Sequence, residues 1–269
     1  MRAPACVPLR LSILLLLLLP GVAWSEALAP ALPPGLASGG AAVVAEVIDG
    51  DSFALADGRT VRLIGIQAPK LPKGRGFEPW PLAETAKAAL QELVRGKPVT
   101  LYFGGTREDR YGRVLAQAVR GDGLWIEGEL LRRGLARVYT FADNRAAAAA
   151  LYALEGEARA ARRGIWTNPY YKLLTPEEAL GRSGGRLEIV EGRIVSAARV
   201  SGQVFLNFGA DWHAAFTVRL DRSALALFRA DGFDPLALEG ELVRVRGYIR
   251  RDRNRALMDV THPEAIERL

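Results

Sequence analysis

The stretch VIDGDSFALADGRTVRLIGIQAPK, residues 47–70, carries the strongest local structure signals in the chain. Two apolar, strand-like runs flank the Asp57-Gly58 pair, which is a preferred two-residue turn of a β-hairpin. A β-rich run over residues 42–50 precedes them and ends in a turn at a second Asp-Gly pair. The pattern therefore predicts three consecutive strands, at residues 42–50, 52–58 and 59–66, in a domain that begins at Ala41.

Helical and strand-like segments alternate after this hairpin. An apolar stripe with helical spacing predicts a helix over residues 81–96, and Gly96 stands where a C-terminal cap belongs. Strands follow at 97–103 and 114–119, then a helix at 125–134 and a long alanine-rich helix over 144–166 that Gly164 stops. The expected order is three strands, a helix, two strands and two helices.

Three segments together resemble the thermonuclease (staphylococcal nuclease-like) family. They are the quoted stretch, REDRYGRVLAQ (107–117) and GELLRRGLARVY (128–139), followed by EARAARRGIW (157–166). The resemblance covers about residues 43–166, and the combination of DGD, RLIGI and DRYGR is its specific part. It implies an oligonucleotide/oligosaccharide-binding (OB) barrel with three helices over residues 41–170. It also implies calcium-assisted hydrolysis of phosphodiesters in DNA and RNA.

Five positions of the family site are identified through this resemblance. Asp51 falls on a calcium-binding carboxylate, and Arg62 and Arg113 fall on two arginines that neutralise the phosphate as its charge grows. Gln67 falls on a second calcium-binding aspartate. Lys70 falls on the glutamate that acts on the attacking water.

Gln67 and Lys70 have the wrong chemistry for a calcium site. Calcium binds through several anionic and neutral oxygens, so one carboxylate beside an ammonium group should bind it much more weakly. One interpretation makes Lys70 a base, with its pKa lowered by the arginines and by burial. The hypothesis that we favour pairs Lys70 with Asp51, in the place of the cation. We therefore expect no firmly bound cofactor, although the resemblance implies Ca²⁺.

Other residues of this domain have the chemistry for nucleic acid contacts. Lys73 and Arg75 lie in a loop and either face solvent or contact the phosphate backbone. Tyr139 and Phe141 either stack on bases or pack in the core. The formal net charge of +6 fits a polyanionic partner. We expect single-stranded or unstructured nucleic acid as the partner; the sequence does not identify a protein partner.

The C-terminal part has the pattern of a second, smaller β domain. A linker is expected at 171–185, and residues 186–269 contain five strand-like runs with one helix inserted before the fourth. This pattern predicts a second OB-like barrel, and the fold class is thus β-rich (α+β). Trp212 is the aromatic residue expected at its surface. His213 and His262 stand apart with no cysteine nearby, which argues against zinc, and His262 before Pro263 is expected in a turn.

The N-terminal residues have the pattern of an export signal. Arg2 and Arg10 precede an apolar run over residues 11–19, and Ala23 and Ser25 offer a cleavage site. We expect a signal peptide at 1–25, a flexible linker at 26–40, and a periplasmic or extracellular protein. An uncleaved segment would instead anchor it to a membrane. Cys6, the one cysteine of the chain, lies inside this segment, so no disulfide is expected after cleavage.

Two functions are consistent with these residues. In the first, the protein binds nucleic acid or another phosphodiester polyanion, and calcium-dependent hydrolysis is weakened or lost. In the second, it is an active endonuclease with an altered arrangement of metal and base. The missing carboxylates favour the first, and the two retained arginines keep the second open.

Overall fold

The computed structural model describes residues 31–72, 74, 76, 78–252 and 254–269. The predicted signal peptide, the first part of the predicted linker, Lys73 and Arg75 lie outside the described residues. Strand β1 begins at Ala37, four residues before the predicted start of the domain. None of the helices in the described ranges has the length and hydrophobicity to cross a bilayer.

The first domain is built on a closed five-stranded barrel. Its strands are β1 (Ala37–Asp49), β2 (Ser52–Leu55), β3 (Thr60–Leu63), β5 (Pro98–Phe103) and β6 (Val114–Arg120), with a separate pair β4 (Gly65–Gln67) and β7 (Arg137–Tyr139). The order around the barrel is β1-β2-β3-β6-β5. The β3–β6 ladder is parallel and the others are antiparallel. The predicted OB-type barrel is confirmed.

The RLIGI motif is the point at which the chain leaves the barrel. Val61 and Leu63 are fully buried in the core, so the alternation of a strand points Arg62 away from it. Gly65 then adopts a φ of +81°, and a Cβ there would lie 2.5 Å from Leu151 Cδ1. Only glycine fits this turn, which ends β3 and starts β4.

Three helices pack on the first barrel. They are α1 (Ala83–Val94), α2 (Ile126–Arg132) and α3 (Ala148–Ala160). The predicted single helix over 144–166 was too long. The chain leaves the helix after Ala160, Arg162 adopts a left-handed φ of 51°, and Gly164 begins a separate short 3-10 helix. Alanine content favours a helix, but the backbone bond from Ile165 N–H to Gly134 O takes the chain back to α2.

The second domain repeats the topology of the first. Its strands are β8 (Leu187–Arg193), β9 (Ser196–Val200), β10 (Gln203–Asn207), β11 (Phe216–Leu220), β12 (Leu242–Asp252), β13 (Arg255–Val260) and β14 (Ile266–Arg268). The ladder β11–β13 is parallel, as β3–β6 is. The predicted first strand, 187–200, is bent into β8, which pairs with β12, and β9, which pairs with β10. Because β8 and β9 are parts of one bent segment, the seven-stranded sheet begins and ends on that segment, as the sheet of an OB-like barrel does.

A helix occupies the same place in both barrels. In the second barrel it is α5 (Arg222–Ala230), which lies between β11 and β12. Asp221 caps α5 by accepting a hydrogen bond from Ala224 N–H at 2.8 Å. The helix buries Leu225 and Phe228 against the strands, which agrees with the predicted single helix before the fourth strand.

The segment 171–185 connects the two barrels but is not a free spacer. Tyr171 and Leu174 are buried, and Leu174 forms a parallel bridge with Val190 of β8. A helix, α4 (Pro176–Leu180), follows with a complete capping box formed by Thr175 and Glu178. The glycines near 181–185 indicated a linker, but the buried apolar residues before them tie the segment to the second barrel.

The two barrels are joined by a buried ion pair. Arg246 on β12 donates to both carboxylate oxygens of Glu155 on α3, at 3.1 and 2.9 Å, and both side chains are almost fully buried. Arg246 also donates to Val138 O of β7 at 3.0 Å and contacts Glu267. This contact lies beside the β4–β7 pair. It therefore places the residues that follow Arg246 on β12 next to the first barrel.

Candidate functional site

Asp51 is the centre of the site on the first barrel. It lies in the turn between β1 and β2 and is fully buried. Lys70 Nζ contacts both carboxylate oxygens, at 2.5 and 2.6 Å. Ser52 Oγ donates to Oδ1 at 3.2 Å, and Ala68 N–H donates to Oδ2 at 2.8 Å. These donors satisfy the hydrogen-bonding capacity of the Asp51 carboxylate. The Lys70–Asp51 pairing favoured from the sequence is present in the structure.

Arg62 is close to Asp51 but directs much of its guanidinium to backbone oxygens. Nη2 lies 3.4 Å from Asp51 Oδ2 and donates to Ile66 O at 2.7 Å. Nη1 donates to Leu63 O and lies 3.4 Å from Asp51 O. Burial alone would raise the pKa of Asp51, but the positive charges of Arg62 and Lys70 hold it well below its usual value. Asp51 is therefore a carboxylate at neutral pH.

Asp49 is a second carboxylate in the cluster, which sequence reasoning treated only as a turn former. Its Oδ1 accepts from Asp51 N–H at 3.0 Å, and its Oδ2 lies 3.5 Å from Lys70 Nζ. Burial and the neighbouring charge of Asp51 raise the pKa of Asp49. Asp49 and Asp51 thus balance the formal charges of Lys70 and Arg62. Any excess positive charge for a phosphate must come from the residues around the cluster.

Arg113 belongs to a loop next to the cluster. It precedes β6, where Leu115 pairs with Arg62 of β3. Asp109 of the same DRYGR motif holds the Arg113 guanidinium, with Nε–Oδ2 at 2.8 Å and Nη2–Oδ2 at 2.6 Å. Among the described residues, Arg113 has no contact with Asp51 or Lys70. Arg62 therefore lies on β3 and Arg113 just before the adjacent strand β6, and each guanidinium is held by its own partners.

The same loop presents further cations. Arg107 lies over the Phe103 ring, with Cζ 4.7 Å from the centroid, and Arg110 lies over the Tyr111 ring at 4.8 Å. Both arginines are exposed. Stacking on an aromatic ring orients a guanidinium while leaving its donors free for a partner.

Gln67 points away from the ion pair and towards the second barrel. Its Nε2 donates to the hydroxyl of Tyr248, on β12, at 2.8 Å. Gln67 is buried, and its Oε1 has no hydrogen-bond partner among the described residues. A residue at a family calcium position therefore forms part of the contact between barrels. Sequence reasoning missed Tyr248, because 181 residues separate the two side chains and no local pattern links them.

Tyr139 and Phe141 form an aromatic wall with Tyr248. The ring centroids of Tyr139 and Phe141 are 4.6 Å apart, and Tyr139 meets Tyr248 edge to face at 5.8 Å. The three rings line a cavity of about 340 Å³ between the barrels, which we call the Tyr248 cavity. Arg250 and Asp259 of the second barrel also line it. Phe141 is 41% exposed and Tyr139 is half-buried, so neither is a core residue.

His262 also lies at this contact and is not a free turn residue. Its Nε2 lies 2.7 Å from Thr140 Oγ1, and its Nδ1 lies 3.0 Å from Thr261 Oγ1. Burial lowers the pKa of His262. The other histidine of the domain, His213, is exposed and contacts Asp211.

The donor set of the site does not fit calcium. Calcium prefers six to eight oxygen ligands, several of them carboxylates. Here the ammonium of Lys70 lies against both oxygens of Asp51, and Gln67 supplies a neutral amide where a second carboxylate would be needed. Within the described ranges, no three His, Cys, Asp or Glu side chains are grouped so that they could hold one metal ion.

Comparison with known proteins places the first barrel in a family. The family model for staphylococcal nuclease homologues matches residues 60–168. An uncharacterized endonuclease of Escherichia coli is 34% identical over 129 residues, which cover 46% of this chain and 76% of that protein. A probable staphylococcal-like nuclease of rice, CAN1, is 34% identical over 106 residues, which cover 39% of this chain and 28% of that protein.

These matches agree with the topology of the first barrel and with the motifs on it. They confirm the resemblance seen in the sequence and support a nuclease or nucleic-acid-related function. The chain belongs to the staphylococcal nuclease homologue family.

Proposed function

We propose that this is an exported nucleic-acid-binding protein whose first barrel has lost, or nearly lost, calcium-dependent phosphodiester hydrolysis. The observation that carries the proposal is the position of Lys70 Nζ, 2.5 and 2.6 Å from the two oxygens of Asp51. An ammonium group there occupies the place of a bound cation and supplies one positive charge against the Asp51 carboxylate. Calcium could reach Asp51 only by displacing Lys70.

The proposal of nucleic acid binding rests on the family and on the residues around the Asp51 cluster. The cluster itself is formally balanced, so the phosphate contacts are assigned to Arg113 and Arg110 of the adjacent loop, with Arg62 behind them. The phosphate contacts predicted from the sequence for Lys73 and Arg75 lie outside the described residues. The aromatic wall of Tyr139, Phe141 and Tyr248 offers stacking faces for unpaired bases. Stacking faces beside phosphate-binding cations favour single-stranded nucleic acid, because its unpaired bases are free to stack on the protein.

The proposed site also lacks an obvious activator of water. Lys70 Nζ lies 2.5 Å from Asp51 Oδ1 and 3.5 Å from Asp49 Oδ2. Its polar atom is therefore directed at carboxylate oxygens and not at an attacking water. The geometry therefore supports the pairing hypothesis over the hypothesis that Lys70 replaces the glutamate as a base.

The test compares the wild-type protein with a variant that restores the family residues, Gln67→Asp with Lys70→Glu. Fluorescence anisotropy with labelled single-stranded DNA measures binding, titration calorimetry measures calcium, and a gel assay with calcium or chelator measures cleavage. We expect the wild type to bind DNA, to give no calcium heat and to leave the DNA intact. The double variant should gain calcium binding and some calcium-dependent cleavage. Lys172→Glu, at an exposed ion pair, is the matched charge control.

Three outcomes would contradict all or part of the proposal. Calcium-dependent cleavage by the wild type that disappears in Arg113→Ala would show an ordinary nuclease of the family. Cleavage in chelator that also disappears in Arg113→Ala would favour the second function, an endonuclease with an altered arrangement of metal and base. Absence of DNA binding by the wild type would remove the binding half of the proposal.

A further inference from the structure

The second barrel has a groove of its own on its outer face. Strands β9 and β10 form its floor, Trp212 comes from the β10–β11 connection, and Arg255 stands at the start of β13. The groove has a volume of about 440 Å³, and we call it the Trp212 groove. On β10, Val204 and Leu206 are buried in the core, so the alternation of the strand turns Phe205 and Asn207 towards the groove.

The aromatic and cationic groups of this groove are arranged so that a flat ligand could stack on them. Trp212 is 50% exposed, and the ring of His213 stacks on it with centroids 3.6 Å apart. The Arg255 guanidinium carbon lies 5.8 Å from the Trp212 centroid and 5.9 Å from that of Phe205. Asp252 holds Arg255 in this position, with Nη2–Oδ2 at 2.6 Å. These groups are thus held in place by other residues of the protein.

The floor of the groove supplies a few polar atoms. Asn207 Nδ2 donates to Ser196 Oγ at 3.1 Å, and Asn207 Oδ1 accepts from Thr217 at 3.2 Å. An amide and a hydroxyl in an otherwise apolar groove can hydrogen-bond to the edge of a ring. Arg255 is the one charged residue that lines the described groove, and its charge is already paired with Asp252. The chemistry therefore suits a base better than a phosphate.

Strand pairing links the groove to the Tyr248 cavity across the barrel surface. Phe205 on β10 pairs with Arg219 on β11, and Arg219 pairs with Asp259 on β13, which lines the Tyr248 cavity. Two strand spacings separate Phe205 from Asp259, which is about 10 Å. At about 3.4 Å per stacked nucleotide, about three nucleotides span that distance. Arg219 lies between them on the same face and pairs with Asp259, with Nε–Oδ1 at 2.6 Å.

We propose that the Trp212 groove binds an unpaired base of single-stranded nucleic acid, and that the strand continues past Arg219 into the Tyr248 cavity. This inference rests on the proposed binding of nucleic acid at the first barrel. It gives the second barrel a role as an extension of the same binding track, and the outer face of an OB-like barrel is a surface that suits such ligands.

The test measures strand-length dependence with the full chain. The probes are labelled oligothymidylates of about 12 and about 3 nucleotides, and an abasic strand of about 12 nucleotides, in fluorescence anisotropy. We expect Trp212→Ala to weaken binding of the long oligothymidylate about 5-fold to 100-fold, which is the effect of losing one stacked base. The same variant should leave binding of the abasic strand unchanged and should weaken binding of the short oligonucleotide, which can still bind at the first barrel, less than binding of the long one. Trp212→Phe should keep most of the affinity.

Val195→Ala is the matched control, because Val195 is an exposed apolar residue, 50% accessible, that does not line the groove. Thermal unfolding of each variant checks its fold. If the wild type binds both oligonucleotides and Trp212→Ala loses nothing, the inference fails while the proposed function stands. Equal weakening of all three probes, or of the Val195→Ala control, would also overturn it. If the wild type binds none of the probes, the proposed function fails and the inference fails with it.

Discussion

Lys70 and Asp51 form an ion pair whose two halves differ in exposure. The Asp51 side chain is fully buried, whereas 24% of the Lys70 side chain is accessible. Removing one partner of a buried pair leaves an uncompensated charge, which is more costly than the pair itself is favourable. The lysine is therefore a structural requirement of the turn as well as the reason for the proposed loss of calcium binding.

The substitution Lys70→Met should destabilise the protein at neutral pH. It leaves Asp51 with Arg62 as its remaining cation, so we expect a loss of about 1–3 kcal/mol in the free energy of unfolding, below the full cost of breaking a buried pair. Urea titration followed by circular dichroism measures it. Lys172→Met, which breaks an exposed pair of 2.5 Å with Glu178, should change stability far less than Lys70→Met does. Equal effects of the two variants would contradict the prediction.

The Lys70–Asp51 pair also sets a pH dependence. Because Arg62 and Lys70 lower the pKa of Asp51 in the folded state, the unfolded state takes up this proton more readily. The stability that it contributes is present above the unfolded pKa of about 3.9 and is lost as the pH falls further. In Lys70→Met the pKa of Asp51 rises, so its acid unfolding curve should begin at a higher pH than that of the wild type.

At the level of elements, a buried carboxyl joins α2 to β6. Glu127, in the first turn of α2, is fully buried, and both its oxygens lie 3.1 Å from Ala118 N of β6. Burial raises the pKa of Glu127 to about 8. The carboxyl is therefore protonated near neutral pH in the folded protein, whereas it is ionised in the unfolded chain.

The substitution Glu127→Gln should remove a pH-dependent loss of stability. The folded state holds a proton that the unfolded state releases above about 4.3, so wild-type stability falls as the pH rises from there to about 8. Glutamine keeps an oxygen for Ala118 N–H and has no charge to bury. Unfolding titrations at about pH 5 and about pH 8 should show the variant gaining roughly 1–3 kcal/mol relative to wild type between the two. A pH-independent difference would contradict this assignment.

At the scale of the whole molecule, the barrels are docked through charge as well as packing. Arg246 and Glu155 are both buried and share two hydrogen bonds across the contact. The same contact positions Tyr248 beside Gln67 and the aromatic wall. The geometry of the proposed binding track therefore depends on this contact, and Arg246 itself lines the Tyr248 cavity.

The substitution Arg246→Met should loosen this docking. It leaves Glu155 buried with Arg159, at 3.2 Å, as its remaining cation, and we expect a loss of about 3–5 kcal/mol. Hydrogen exchange read by mass spectrometry should increase in β7 and β12 before it increases in the barrel strands β2 and β3. Arg268→Met, at an exposed pair of 3.5 Å with Glu241, is the matched control and should leave exchange unchanged. Uniform acceleration across the chain would argue against a role in docking.

Much of the first barrel follows from local residue patterns. The Asp57-Gly58 turn and the alternation around Arg62 depend on neighbours within a few residues, so the sequence predicts them well. The alanine-rich run was the exception, because its helix ends where tertiary contacts with Gly134 begin. The second barrel was predicted from strand count alone, and the bend that separates β8 from β9 has no local signal strong enough to reveal it.

The sequence by itself determined the family, the barrel and the chemical identity of each group at the site. Set against the family, Gln67 and Lys70 show which carboxylates are missing, and the charge of Lys70 leads to the hypothesis that it pairs with Asp51. Only the tertiary structure decided that Asp49 balances the cluster, that Asp109 holds Arg113, and that Tyr248 receives Gln67. Side-chain types and strand alternation are local properties, whereas the partner of a charge is set by which distant elements pack against it.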